Sequence, residues 1–231
     1  MRVLITRPHE EAQKDRKLLE REGFSVEVLP LIRTVPLDFT VPDEEFQFVV
    51  FASPRAVEYL LKKWRPKGGE KLVAVGEKTK RKLESMGLKV WAVPQENTAR
   101  GLVELLRGHS GKVLLPRSAS GREELIEGLK GGNLLLFPLD VYKTEIILYE
   151  KGKVSRALER NHVVYLASPS AVQGLLANLQ KDQSLHLLKD KKVVCIGKTT
   201  KEEWQKETGL PALVLPKPST EALIELLKNL V

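Results

Sequence analysis

The sequence is poor in the residues that carry covalent, redox or metal chemistry. Its 231 residues include a single cysteine, Cys195 in "KKVVCIG". An internal disulfide is therefore excluded, and a reducing compartment fits. Flanked by valines and an isoleucine, that thiol reads as a small buried hydrophobe on a strand. The four histidines, His9, His109, His162 and His186, form neither an HExxH pair nor a Cys/His spacing, so no metal site is expected. No Walker A or GxGxxG loop follows the first apolar run, where "TRPHEE" stands instead. Dinucleotides and P-loop nucleotides are thereby disfavoured. A G-x-S-x-G elbow is missing too, which argues against a hydrolase of that type. No segment approaches the ~18 unbroken apolar residues of a membrane helix, and "MRVLITRP" turns polar too early for a signal peptide. A soluble cytoplasmic protein with no membrane association is the expectation.

What is present is ordinary for a globular chain: 42% hydrophobic and 29% charged residues. The length accommodates one large domain or two smaller ones, each able to bury a core. The net charge of +8, from 38 basic and 30 acidic residues, favours an anionic partner. The basic residues are mixed with glutamates along helical stretches rather than gathered in a block, which argues against nucleic acid.

Short β-rich runs alternate with amphipathic helical stretches throughout. "RVLIT" reads as a buried strand, residues 9–22 as a helix stopped by Gly23, and "FSVEVLP" as the next strand. Further on come the strand "FVVFAS", a helix from Pro54, the strand "KLVAVG", a helix over 78–86, the strand "KVWAV" and the helix "TARGLVELLR". Such alternation means βαβ units and parallel sheets covered by helices on both faces.

The pattern occurs twice. "VVFASPRAV" matches "VVYLASPSAV", and "KLVAVGEKTKRKLESMGLKVWAVPQENTARGLVELLR" lines up with "KVVCIGKTTKEEWQKETGLPALVLPKPSTEALIELLK". Gly76 then matches Gly197, Thr79 matches Thr200, and Thr98 matches Thr220. "VLITRP" has an echo in "VLLPRS", and "VEVLPLIRT" in "LLLFPLDVYKT". The chain thus reads as A (1–34), B (46–107), A′ (111–144) and B′ (161–229), two copies of a five-stranded α/β unit. Sequential pairing, A with B, competes with exchanged pairing, B with A′ and A with B′. The B–A′ junction is only "GHSG", while the A–B and A′–B′ junctions run past ten residues. Short connections join elements that sit together, so the exchanged form is preferred.

Each repeated polar feature follows a strand and opens a helix. Ser53 and Ser168, each before a proline, suit helix N-caps with proline at the first helical position. Gly76 and Gly197 suit tight turns, Thr98 and Thr220 suit caps, and Arg7 and Arg117 stand at matching places after first strands. Helix N-termini at the carboxyl ends of parallel strands also attract anions. Two such faces opposed across a hinge would suit a molecule carrying many carboxylates.

Together, "TRP" after the first strand, the two Ala-Ser-Pro segments, "AVGEKTKRKLESMG" with "CIGKTTKEEWQKETG", "PRSASGREELIEGL" and "VYKT" resemble uroporphyrinogen-III synthase. The similarity runs in order over nearly the whole chain. It implies two flavodoxin-like α/β domains with parallel five-stranded sheets, joined by two extended linker strands. One domain would comprise 1–34 plus 148–231, the other 41–139, with linkers at about 35–40 and 140–147. It also implies a cofactor-free, monomeric lyase of tetrapyrrole and haem synthesis that closes linear hydroxymethylbilane with inversion of the terminal pyrrole. The resemblance leaves room for a transient contact with the deaminase that supplies the substrate. Tyr142 in "VYKT" stands where the family's candidate acid lies. Ser53, Arg55, Gly76, Thr79, Ser168, Ser170, Gly197, Thr199, Thr200, Arg7, Arg117 and Arg122 would bind carboxylate arms. A non-catalytic bilobal protein binding a small polyanion is the alternative that the same doubled helix N-termini motivate.

Overall fold

The computed structural model describes residues 1–121, 123–130 and 132–230. The chain forms two compact units, one of Met1–Arg33 with Glu145–Val231 and one of Thr34–Thr144. We refer to them as unit one and unit two.

Unit one begins with β1 (Arg2–Ile5), α1 (His9–Arg21) and β2 (Ser25–Val28). The chain leaves it along β3 (Ile32–Pro36). Unit two follows with β4 (Phe48–Phe51), α2 (Pro54–Leu61), β5 (Lys71–Ala74), α3 (Glu77–Ser85) and α4 (Ala99–Leu106), then β6 (Gly111–Ser118), α5 (Glu124–Leu129) and β7 (Leu134–Ile146). Back in unit one lie α6 (Lys153–Arg160), β8 (Val163–Leu166), α7 (Pro169–Lys181), a 3-10 segment (Leu185–Asp190), β9 (Lys192–Cys195), α8 (Lys198–Thr208), β10 (Leu213–Val214) and α9 (Thr220–Lys228). Among the described residues no helix is long and apolar enough to cross a membrane.

The strands of unit one run in the order β10-β9-β8-β1-β2, all paired parallel. Helices cover both faces, so these strands are apolar in succession rather than alternately. On one face Leu4, Val164 and Val193 pack against Leu175 and Leu179 of α7 and Trp204 of α8. On the other, Val3, Ile5 and Tyr165 meet Ala12 and Leu19 of α1 and Leu223 and Leu227 of α9.

The sheet of unit two has the order β3-β7-β6-β4-β5. Val49, Phe51 and Leu114 pack on Leu60 of α2 and Leu83 of α3, and Val50, Val113 and Leu115 on Leu102 and Leu106 of α4. This sheet corrects two expectations. It is mixed rather than all parallel. The amide of Leu37 donates to the Val141 carbonyl and that of Ile147 to the Leu31 carbonyl, an opposed progression that makes β3 and β7 antiparallel. Its fifth strand is also β3, not the segment "KVWAV". Among the described residues that segment makes an isolated bridge, Val73 with Ala92, and no longer ladder. Pro94, two residues further on, has no N–H for a ladder and ends the pairing.

The stretch between the expected A′ and B′ repeats holds α6, opened by Gly152 and tied to the end of α7 by Asp182. The Asp182 carboxylate accepts from the Gly152 amide and the Ser155 hydroxyl, both at 2.9 Å.

Candidate functional site

In unit two, β4 connects to β5 in one direction and β6 to β7 in the other. At such a reversal the carboxyl ends of neighbouring strands leave a crevice. A cavity of about 390 Å³ opens there, and Ser53, Asn97, Thr98, Arg117, Ser118 and Tyr142 line it.

Local chemistry explains how each of these residues arrives. Ser53 leaves β4 in an extended conformation and caps α2, its Oγ accepting from the Ala56 amide at 3.1 Å, with Pro54 at the first helical position. Thr98 caps α4 in the same way through the Gly101 amide at 3.1 Å. Tyr142 comes from β7, where the register against β6 slips between Arg117 and Ser118: Arg117 pairs with Asp140, but Ser118 pairs with Tyr142. Irregularities of this kind re-aim a side chain. Tyr142 is 9% exposed, and its Oη lies 3.3 Å from Ser53 Oγ. Its ring stacks on that of Tyr59 at 5.3 Å and 22°.

Among the described residues, Arg117 and Glu124 are the charged side chains that line this cavity. Arg117 Nε donates to Asp140 at 2.9 Å and its Nη2 to Glu123 at 2.8 Å. The hydrogen bond to Glu123, with that to Asp140, outweighs partial burial and raises the guanidinium pKa further. Its Nη1 is buried and has no hydrogen-bond partner among the described residues. A buried donor without a partner costs on the order of 1–3 kcal/mol.

Of the other candidates of unit two, Arg55, Gly76 and Thr79 are not among the described residues that line the cavity. Arg55 donates to Glu58 at 3.2 Å, and Lys82 reaches the same carboxylate at 2.7 Å. Burial would raise the Glu58 carboxyl, but the hydrogen bond and charge of Lys82, with those of Arg55, hold it below the ordinary glutamate range. Gly76 is the N-cap of α3 with φ 103°. Thr79, in the first turn of α3, is buried. Arg122 lies outside the described residues.

The matching rim of unit one is built differently. Ser168 caps α7 through the Ala171 amide at 3.1 Å, again with proline following. Ser170 is half-buried in the first turn. Gly197 caps α8 with an extended φ of −166°, Thr199 is exposed, and Thr200 is buried. Arg7 donates to the buried carboxylate of Asp15 at 2.9 Å. That carboxylate also accepts from the Thr220 hydroxyl at 2.6 Å.

Thr220 is therefore not the cap that the repeat suggested. Ser219 caps α9 through the Ala222 amide, while Thr220 occupies the first helical position and turns toward Asp15. Asn97 and Ser118 also escaped the sequence reading as cavity residues. Asn97 had one signal, its place directly before the repeat-matched Thr98. Among the described residues no group of three or more His, Cys, Asp or Glu side chains is placed to hold a metal ion.

Comparison with known proteins bears on what such a site does. A family model described as "Uroporphyrinogen-III synthase HemD" matches residues 13–225. The "Putative uroporphyrinogen-III synthase" of Methanothermobacter thermautotrophicus is 28% identical over 243 residues, covering 96% of this chain and 95% of its own. The "Uroporphyrinogen-III synthase, chloroplastic" of Oryza sativa subsp. japonica is 27% identical, covering 96% of this chain and 78% of its own. Among solved structures, uroporphyrinogen-III synthetase from Helicobacter pylori superposes over the whole of both chains with a TM-score of 0.71 at 19% identity, a likeness of fold.

Proposed function

The chain belongs to the uroporphyrinogen-III synthase family, and from that premise we propose how its own residues carry the reaction. The activity is that of a cyclising lyase in porphyrin biosynthesis. Its substrate is linear hydroxymethylbilane, its product uroporphyrinogen III, and one water is lost. Family membership does not favour the non-catalytic polyanion-binding alternative.

We read the two compact units as the two domains of the family's architecture. In unit one the strands lie in the order second, first, third, fourth, fifth by their succession in the unit, the flavodoxin-like order. In unit two the repeat makes β6 and β7 the first and second strands and β4 and β5 the third and fourth. Those four follow the same order, and β3 joins at the edge beside β7.

The first step is departure of the terminal hydroxyl. The pyrrole nitrogen's lone pair pushes, the C–O bond breaks, and the oxygen needs a proton to leave as water. Tyr142 supplies it: the residue lines the cavity, and its Oη lies 3.3 Å from Ser53 Oγ. Ser53 Oγ already accepts from the Ala56 amide. Its own hydroxyl proton is free to donate to Tyr142 Oη, which leaves the phenol's proton for the substrate. The resulting azafulvene is attacked by the substituted carbon of the last pyrrole, giving a spiro intermediate. That intermediate reopens and recloses inverted, and the proton lost on re-aromatisation restores the phenol.

In water the substrate closes without inversion, so the protein's larger task is to hold the chain in the folded-back geometry. Positioning of this kind is worth several kcal/mol, about 7–11 in well-ordered cases. In each unit we assign that task to the strand-end rims. Ser53, Thr98, Arg117 and Ser118 act in unit two, and Ser168, Ser170, Gly197 and Thr199 in unit one. Helix N–H groups and hydroxyls there suit carboxylate arms.

The observation that carries this reading is the cavity that Tyr142, Ser53 and Arg117 line together. The test supplies hydroxymethylbilane from the preceding deaminase and separates the products by chromatography. The type III isomer is expected. Accumulation of type I alone, at the rate seen without the protein, would overturn the assignment.

A further inference from the structure

The tyrosine pair belongs to one half of the duplication only. Tyr59 stands six residues after the cap Ser53; six residues after the matching cap Ser168 stands Gly174. Tyr142 stands two residues before Thr144; two before the matching Thr34 stands Ile32. In unit one the helix approaches the strand closely: a Cβ on Gly174 would meet the Leu31 carbonyl at 2.8 Å. In unit two the same helix position instead carries an aromatic ring.

That ring is tied at several points. Tyr59 Oη donates to the Thr34 carbonyl at 3.1 Å and lies 3.0 Å from the Thr34 hydroxyl. The Lys62 ammonium sits 5.1 Å from its ring centroid. Its face lies on Tyr142 at 5.3 Å, 22° from parallel. Tyr142 is thus held by its ring against Tyr59 and by its oxygen against Ser53 Oγ. A phenol that must deliver a proton along one direction needs both restraints, because rotation about its side-chain bonds would swing the O–H away. Of the two rings, among the described residues, Tyr142 lines the cavity and Tyr59 does not.

We propose that Tyr59 is a positioning residue for the reaction, acting through Tyr142 by holding its ring at the angle from which the proton reaches the leaving oxygen. The proposal rests on Tyr142 being the acid. It assigns to Tyr59 no contact with substrate, so its loss should lower kcat and leave KM nearly unchanged.

The experiment measures kcat, KM and the ratio of type III to type I product for Y59L, Y59F, Y142F and the Y59L/Y142F double variant, using hydroxymethylbilane from the deaminase. Y59L should lose about 10-fold in kcat, with KM within about twofold of the parent. Y59F, which keeps the stacked ring, should restore most of kcat. The double variant should be no slower than Y142F, because a residue acting through Tyr142 has nothing left to act on. Should Y59L fail to fold by thermal melting, Y59M fills similar volume without a ring and takes its place in both the single and the double variant. A parental kcat in Y59L, or an equal slowing of the parent and of Y142F by the same change, would overturn the proposal. A parental rate in Y142F itself would overturn the acid assignment first, and this proposal with it.

Discussion

Arg7 Nη1 donates to Asp15 Oδ2 at 2.9 Å, and the residue that receives it is 3% exposed. Thr220 closes the other oxygen at 2.6 Å. Three segments distant in sequence, the end of β1, the middle of α1 and the start of α9, are therefore locked together inside unit one. In unit two the matching Arg117 is held by Asp140 and Glu123, and its buried Nη1 has no hydrogen-bond partner among the described residues. The two copies of one repeated arginine thus have different local partners.

Removing the Arg7 side chain leaves Asp15 buried without its counter-charge. Arg7→Met should cost roughly 1–3 kcal/mol, below the ~3–5 of a fully buried pair, since Arg7 retains some solvent contact. Thr220→Val should cost about 1.5–3 kcal/mol for a lost bond to a charged acceptor. Urea unfolding of each variant measures both, and parental midpoints would show the lock to be energetically idle.

The serine caps should separate by function. Ser53→Ala and Ser168→Ala each remove a capping acceptor and should each cost about 1 kcal/mol of stability. Only Ser53 also touches Tyr142, so Ser53→Ala should in addition lower kcat. A parental kcat in the folded Ser53→Ala variant would show that the contact with Tyr142 contributes nothing to the chemistry.

The two matched glycines should differ as well. Gly76 has φ 103° and ψ 157°, and a Cβ there would lie 3.1 Å from the Asn97 side chain. Gly76→Ala should destabilise by about 1–3 kcal/mol, because that backbone region is nearly closed to other residues. Gly197 is extended, and a Cβ added to it would meet nothing within 4 Å among the described residues. Gly197→Ala should therefore be near neutral. Thermal melts of the pair decide it; equal melting temperatures would contradict the geometry.

Stability should fall in alkali. Burial pushes the Cys195 thiol from 9.0 up to about 11 and the Tyr165 phenol from 10.0 up to about 12. The folded chain then keeps protons that the unfolded chain releases. These groups leave stability intact below pH 9 and erode it from there toward pH 11 and 12, by about 1.4 kcal/mol per pKa unit. Urea midpoints from pH 8 to 11 follow the loss, and a flat profile would refute it. Cys195, fully buried, should also resist thiol reagents at pH 8 until the chain is unfolded.

Much of the architecture was legible in the chain alone. Helix caps act between residues three apart, strand burial shows as unbroken apolar runs, and proline after serine marks a helix start. Ser53, Ser168 and Thr98 could therefore be read directly. The same locality misled where two neighbours could each cap: the repeat pointed to Thr220, but Ser219 caps and Thr220 reaches Asp15. "KVWAV" had the composition of a strand, yet the sheet took its fifth member from β3.

The sequence by itself determined the alternation of strands and helices, the duplication, the strand-end placement of the polar residues and, through the order of its motifs, the family. The tertiary structure alone decided which distant side chains meet: Tyr142 with Ser53 and Tyr59, Arg7 with Asp15, β3 against β7. The physical reason is range. Capping and periodicity are set by a few neighbouring residues, whereas pairing across the fold depends on strand order and register. The shift between Arg117 and Ser118 that turns Tyr142 toward the cavity exists only once β6 and β7 are side by side.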